Sequence, residues 1–322
     1  MARGLEAGTK RAERISRRIQ GPDGASALGK IGYSILPMPM ALILSSLVAA
    51  SRVGGGVSER VLNAAGIDTM LVPTVLYGRQ PGWGPPGGGP VEQDMFEGVL
   101  SGISDQGLLD ITDVVLTGYF ADVGQIFDTA AVIDVVRKGS RVNRGVRAFA
   151  REPIVVVDPI MGDAPGGLYV PPAIAAGIKD QLVSRADLVT PNAFELGHIT
   201  GRQLTDLASM VRAARSLDCP AIVTSLPRHG QIGVMYVDNG EAWLVTHERI
   251  PDAPKGTGDV LTAAFIGAIV NGAEPKAALE HAVAATVSVV MRAHEWKAPE
   301  LPIVAAADVL REPLVSYEAE AV

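Results

Sequence analysis

The chain of 322 residues has a single cysteine, Cys219, so an internal disulfide is impossible. It lies between Asp218 and Pro220, just before an apolar run, and reads as a partly buried bystander thiol rather than a nucleophile. That usage suits a reducing cytoplasm. Aromatic residues make up only 5% of the sequence and never interleave with a basic stripe in its body, and the formal net charge is −7. Both features argue against nonspecific nucleic-acid binding and favour small-molecule chemistry. No apolar stretch is long enough to span a bilayer, and there is no internal repeat. What is present, a 48% hydrophobic and 20% charged composition, fits one large α/β domain or two small ones and excludes a disorder-dominated chain.

Lys10, Arg11, Arg14, Arg17 and Arg18 precede the apolar stretch Met40 to Ala50 and together imitate a secretion signal. Gly21, Pro22, Asp23 and Gly24 break the imitation, as do Pro37 and Pro39. Residues 1–34 read as a mobile basic extension and residues 35–322 as the folded domain.

Ala41-Leu42-Ile43-Leu44 is a continuous apolar run ending in Ser45-Ser46, the pattern of a strand buried on both faces. A helical pattern from Val57 to Ala65 and a strand from Thr69 to Val75 complete a first strand-helix-strand unit of a parallel sheet. From Tyr77 to Pro90 glycine and proline dominate, which predicts a long surface loop without regular structure, with Trp83 as a substrate cover. Helices are expected at Val91 to Ser104, Asp122 to about Arg137, Pro172 to Ser184, Leu204 to Leu217, Thr257 to Val270, Pro275 to Arg292 and Ala305 to Leu310. Strands are expected at Val114 to Thr117, Ile154 to Val157, Asp187 to Val189 and Ala221 to Ser225. Asp238-Asn239-Gly240 should turn an antiparallel hairpin of Ile232 to Val237 and Glu241 to Thr246. Arg141, Arg144, Arg147 and Arg151 read as a solvated helix end and loop.

Three stretches carry chemistry. Ile154 to Val157 runs into Asp158-Pro159-Ile160-Met161-Gly162-Asp163, placing two carboxylates where open α/β sheets hold ligands, although either is also a good turn residue. Thr190 or Asn192 can cap the helix whose first turn holds Glu195. Pro254-Lys255-Gly256-Thr257-Gly258-Asp259 opens an apolar helix, and its free N–H groups suit an anion that the two glycines let come close. Asp259 there is either a helix cap or a catalytic base.

Together with Val223-Thr224-Ser225, these stretches in this order and spacing resemble the pyridoxal kinases of the ribokinase superfamily, from about Leu42 to Met291. Related hydroxymethylpyrimidine kinases usually carry Cys where Asp259 stands. The resemblance implies a three-layer α/β/α sandwich with a mostly parallel sheet, and ATP-dependent phosphorylation of the 5′-hydroxymethyl group of pyridoxal in vitamin B6 salvage. A kinase for another hydroxymethyl compound and a non-catalytic B6-binding homologue are the alternatives. It further implies Asp259 as base and the Gly256, Thr257 and Gly258 backbone as the γ-phosphoryl anion hole. Asp158, Asn192, Glu195, Thr224, Ser225, Val245, Thr246, Lys255 and Thr257 would serve ATP, with Glu195 and Asp158 toward Mg²⁺. Ser46 and Trp83 would face the substrate, and the enzyme would be a homodimer. Two departures stand out: Gly55 occupies the place of an Asn, and Pro81-Gly82-Trp83 replaces a Thr-Gln-Tyr-like sequence.

Overall fold

The β-branched and leucine-rich runs become the strands of a computed structural model that describes residues 38–142, 152–228 and 230–322. In chain order the strands are β1 (Met40–Val48), β2 (Asp68–Tyr77), β3 (Gly88–Pro90), β4 (Val114–Thr117), β5 (Ile154–Val157), β6 (Gly162–Asp163), β7 (Gly167–Leu168), β8 (Leu188–Val189), β9 (Ala221–Arg228), β10 (Gln231–Val237), β11 (Ala242–Glu248) and β12 (Glu320–Ala321). Ten of them form one sheet in the order β12-β11-β10-β9-β8-β5-β4-β1-β2-β3, and β6 pairs with β7 as a separate ribbon. The strands β2, β1, β4, β5, β8 and β9 run parallel to one another, while β10 turns back against β9 and β3 against β2. All parallel C-terminal ends therefore share one edge, where such sheets hold ligands.

The helices are α1 (Gly55–Ala64), α2 (Gln93–Asp105), α3 (Val123–Val142), α4 (Pro172–Gly177), α5 (Ala193–Thr200), α6 (Leu207–Ala214), α7 (Thr257–Val270), α8 (Pro275–Glu295) and α9 (Ala307–Arg311). Along β1 the apolar side chains alternate between the two faces. Leu42 and Leu44 join the core beneath α2 to α6, and Ala41 and Ile43 join the core beneath α1, α7, α8 and α9. A strand buried on both sides has no polar face to show, which is why its sequence reads as one apolar run. Each leucine or isoleucine among them contributes roughly 1.5–3 kcal/mol by leaving water.

The expected three-layer α/β/α architecture is therefore present, with differences of detail. The stretch from Tyr77 to Pro90 is not wholly irregular, because Pro81–Trp83 forms a 3₁₀ turn and β3 pairs antiparallel with β2. Backbone hydrogen bonds, which need no side-chain pattern, build both. The helix expected to end near Arg137 continues to Val142; Arg144, Arg147, Arg151 and the segment 1–34 lie outside the described residues. Past Gly177, α4 widens into a π-helical turn at Ile178–Leu182 and closes as a 3₁₀ turn. The helix expected from Leu204 begins only at Leu207, because Asp206 caps it by accepting from the Ser209 N–H at 2.7 Å.

Candidate active site

Helix α7 is apolar on every side and buried along most of its length. Its N-terminus lies at the ligand edge of the sheet. Gly256 is the N-cap, with φ of 99°, and a Cβ there would sit 2.3 Å from the Arg52 carbonyl oxygen. A Cβ on Gly258 would meet nothing within 4 Å, so that glycine faces open space. The pair thus serves two purposes: one glycine is demanded by the protein's own backbone, and the other leaves room at the helix end.

Asp259 is not the cap. It occupies the first turn of α7, and its Oδ2 accepts the backbone N–H of Gly54, the residue before α1, at 2.9 Å. Gly54 in turn presses on Ser46 at the end of β1, since a Cβ on it would lie 2.1 Å from the Ser46 Oγ. The carboxylate, the α7 N-terminus and Ser46 are therefore brought together as expected. Burial pushes the Asp259 pKa up to about 6, partly offset by the Gly54 N–H and its own N–H.

A second group of acids stands beside it. Glu195 is 3% exposed, and its Oε1 accepts from the N–H groups of Met161 (3.0 Å) and Gly162 (3.4 Å) while Oε2 accepts from Asn192 (2.9 Å). Asn192 caps α5, accepting from the Glu195 N–H at 3.0 Å, and donates through Nδ2 to the Gly162 carbonyl at 2.8 Å. Glu195 is thus the capping-box acid of its helix and also the anchor of the loop after β5. Burial carries its pKa up to about 7 against the pull of those backbone N–H groups. Asp158 is raised well above the carboxylate range, first by burial and then by the charges of Glu195 and Asp259, with Thr190 hydrogen-bonding it in opposition. Tyr169, just past β7, is also raised by burial and by Glu195, Asp158, Asp163 and Asp259. Among the described residues none of these acids is in an ion pair.

Crowded acids without cations raise one another's pKa and favour a divalent ion. No cluster of three or more His, Cys, Asp or Glu side chains forms a metal cage among the described residues. Magnesium does not need one, because it keeps several waters and takes one or two carboxylates plus substrate phosphates. Asp158 fits that role, with Asp163 close by in charge. Both oxygens of Glu195 already accept backbone N–H groups, so its direct bond to the ion is the weaker part of the expectation.

A cavity of about 140 Å³ opens beside the α7 N-terminus, lined by Thr224, Ser225, His247, Thr257, Gly258 and Val290 among others. Ser225 holds φ at 58°, an uncommon backbone conformation for a serine at a ligand edge. Two expected residues stand away from this cavity: the Val245 side chain is 0% exposed in the core against α7 and α8, and neither it nor Thr246 lines the cavity. Strand alternation explains this, since His247 is the residue of β11 that continues the Val245 face to the strand's open end. Lys255 is exposed.

On the other side, Trp83 is 47% exposed at the tip of its turn. The turn is tied down by the Gln80 N–H donating to Ser51 Oγ at 3.1 Å and Arg79 Nε donating to the Pro85 carbonyl at 2.9 Å. Sequence reasoning missed Tyr77 and Tyr119. They end β2 and stand just past β4; burial and then Tyr77 raise the Tyr119 pKa, and the Tyr119 N–H donates to Ser45 Oγ at 3.4 Å at the end of β1. The signal was available, because a tyrosine after an apolar strand occupies the same edge as Ser46.

The open, mostly parallel sheet, with the α7 N-terminus and the Asp259 carboxylate together at its ligand edge, has the architecture of the ribokinase-like small-molecule kinases. The family described as Phosphomethylpyrimidine kinase matches residues 130–303. A pyridoxal kinase PdxY of Leifsonia xyli is 32% identical over 280 residues, covering 84% of this chain and 95% of that protein. A pyridoxine/pyridoxal/pyridoxamine kinase of Bordetella avium is 34% identical over 245 residues, covering 74% and 79%. Among solved structures, pyridoxal kinase from Leishmania donovani in complex with ADP and pyridoxamine superposes with a TM-score of 0.80 at 21% identity, covering 88% of this chain and 99% of that one. The chain belongs to the phosphomethylpyrimidine kinase family and, within it, to the pyridoxal kinases.

Proposed function

We propose that this protein transfers the γ-phosphoryl group of ATP to the 5′-hydroxymethyl group of pyridoxal, giving pyridoxal 5′-phosphate, with pyridoxine and pyridoxamine as related substrates. The observation that carries the reading is the placement of Asp259 at the anion-accepting end of α7, between the cavity at Thr224 and Ser225 and the serine at the end of β1. ATP would lie in that cavity with its terminal phosphate over the free N–H groups of Thr257 and Gly258. The vitamin would lie on the Ser46 and Tyr119 side.

Phosphoryl transfer asks the protein for position and charge stabilisation. Gly54 holds one carboxylate oxygen of Asp259, so the base has a fixed orientation before substrate arrives. Its pKa of about 6 keeps it ionised at neutral pH yet basic enough to accept the hydroxyl proton. The α7 amides receive the developing phosphate charge. Glu195 positions the loop carrying Asp158 through the Met161 and Gly162 N–H groups. Bound Mg²⁺ would neutralise phosphate charge, with Asp158 and Glu195 as the carboxylates that hold it or its waters. Among the described residues no helix is long and apolar enough to cross a membrane. A cytoplasmic setting rests on the single cysteine, and a homodimer on family resemblance.

The test is ATP consumption with pyridoxal, pyridoxine, pyridoxamine and hydroxymethylpyrimidine as parallel acceptors. Turnover with a B6 vitamer that disappears in Asp259→Asn supports the reading. Preference for the pyrimidine, or an Asp259→Asn variant with full activity, overturns it.

A further inference from the structure

A cavity of about 440 Å³ opens at the opposite end of the molecule from Asp259, within the range that takes small organic ligands. Its walls are the C-terminal ends of α1 and α7, at Ala64, Ala65, Ala264 and Ala268, with α8 and α9 closing the sides through His281 and Arg311. Small side chains make the hollow. The two walls approach closely at one point of the lining, where a Cβ on Gly267 would lie 2.8 Å from that of Ala65.

The polar groups around the cavity favour one charge. Helix C-terminal carbonyls usually make such a place attractive to cations. Here the Asn271 side chain donates to the carbonyls of both Ala65 (3.0 Å) and Gly267 (2.9 Å), so those acceptors are taken. Arg311 is exposed at the rim, with no hydrogen bond or ion pair to any described residue. His281 is half-buried beside it, with a hydrogen bond to the Leu310 carbonyl; burial lowers its pKa, leaving it a neutral polar group. Apolar walls with one unpaired guanidinium at the mouth fit a flat apolar body bearing a single carboxylate or phosphate.

We infer that this cavity is a second ligand site, separate from the catalytic cleft, for small aromatic or other apolar acids. Its position gives occupancy a physical route to the base. The same two helices that wall the cavity meet at their other ends through the Gly54–Asp259 hydrogen bond, so anything that moves their C-termini bears on that contact.

The experiment is calorimetric titration of the full chain with 2-naphthoate, and with uncharged 2-naphthamide, in the presence of pyridoxal and a non-hydrolysable ATP analogue. One equivalent of 2-naphthoate is expected to bind, with 2-naphthamide weaker by about tenfold or more, the value of one charge-assisted hydrogen bond. Arg311→Gln, at an exposed position, should cause a similar loss. Ala268→Leu should abolish binding by filling the hollow, and melting temperatures of the free variants verify that both fold. Absence of binding overturns the inference, as does competition with the catalytic-site ligands, or affinity unchanged in Arg311→Gln.

Discussion

The backbone N–H of Gly54 and the carboxylate of Asp259, 205 residues apart in sequence, meet at 2.9 Å and join the starts of α1 and α7. A base held from one side by a backbone donor loses no time finding its orientation. Replacing it with Asn keeps the shape and removes the proton acceptor, so kcat should fall about 10²–10⁴-fold, the usual worth of general base catalysis. In the unaltered enzyme kcat/KM should climb as pH rises through about 6 and then level off, because only the ionised form accepts the proton. The same shift carries a stability cost. A carboxyl whose pKa goes from 3.8 unfolded to about 6 folded binds its proton more tightly when folded, so stability declines as pH rises across that interval. At pH 8, Asp259→Asn should therefore melt higher than the unaltered protein, by an amount equivalent to about 1–3 kcal/mol. Steady-state rates and thermal melts of one preparation check both signs.

Gly54→Ala tests the other half of that contact. Residue 54 has φ of 66°, and the added methyl would fall 2.1 Å from Ser46 Oγ, so strain and overlap add. The variant should lose about 2–4 kcal/mol in urea unfolding. Its kcat should drop while the KM for ATP holds within about threefold, because the nucleotide cavity is on the far side of α7's N-terminus. An unchanged kcat in a destabilised Gly54→Ala protein would show that the strained backbone at residue 54 is not what sets the orientation of the base.

Much of this site was legible before any coordinates. Apolar runs that end in hydroxyls or acids are strand ends of a parallel sheet, so Ser46, Asp158, Thr190 and Thr224 announced a common edge. Asn192 and Glu195, three apart, announced a cap. What the sequence left open was choice among local options. Asp259 could equally have been the cap, and only the distant Gly54 decides that it is not. Val245 belongs to a strand near the nucleotide cavity, but whether it or His247 lines the cavity depends on where β11 ends, a property of register rather than of either residue. The Tyr77–Tyr119 pair depends on β1 lying between β2 and β4, which no local pattern contains. Cys219 behaved as composition suggested: it is partly buried, and burial raises its pKa to about 11.

Glu195 can be separated from the reaction by what each replacement leaves behind. Glu195→Ala strands three N–H donors, the buried ones of Met161 and Gly162 and the part-buried one of Asn192, and should cost about 2–4 kcal/mol with loss of activity. Glu195→Gln keeps the volume and one acceptor, so it should fold more stably than the alanine variant. If positioning is the role, Glu195→Gln should recover part of kcat with an unchanged Mg²⁺ requirement. A shift of the Mg²⁺ activation curve to much higher concentration would instead make Glu195 a direct ligand of the ion.

Three neighbouring acids, Asp158, Glu195 and Asp259, all have raised pKa values, which makes metal binding a competition with protons. At pH 6 Glu195 is largely protonated and Asp259 is near half-ionised, and the pKa of Asp158 is raised by burial and by both of them. At pH 8 more of that negative charge is exposed, and its self-repulsion costs stability until a cation relieves it. Added Mg²⁺ with ATP should therefore raise the melting temperature more at pH 8 than at pH 6, and chelation with EDTA should reverse the gain. Asp158→Asn removes the central charge of the three, so it should melt higher than the unaltered protein in metal-free buffer at pH 8 and gain less from Mg²⁺. Equal Mg²⁺ gains in the two proteins would place the ion on the nucleotide phosphates alone, because an acid that holds the metal or its waters cannot lose its charge without weakening that hold.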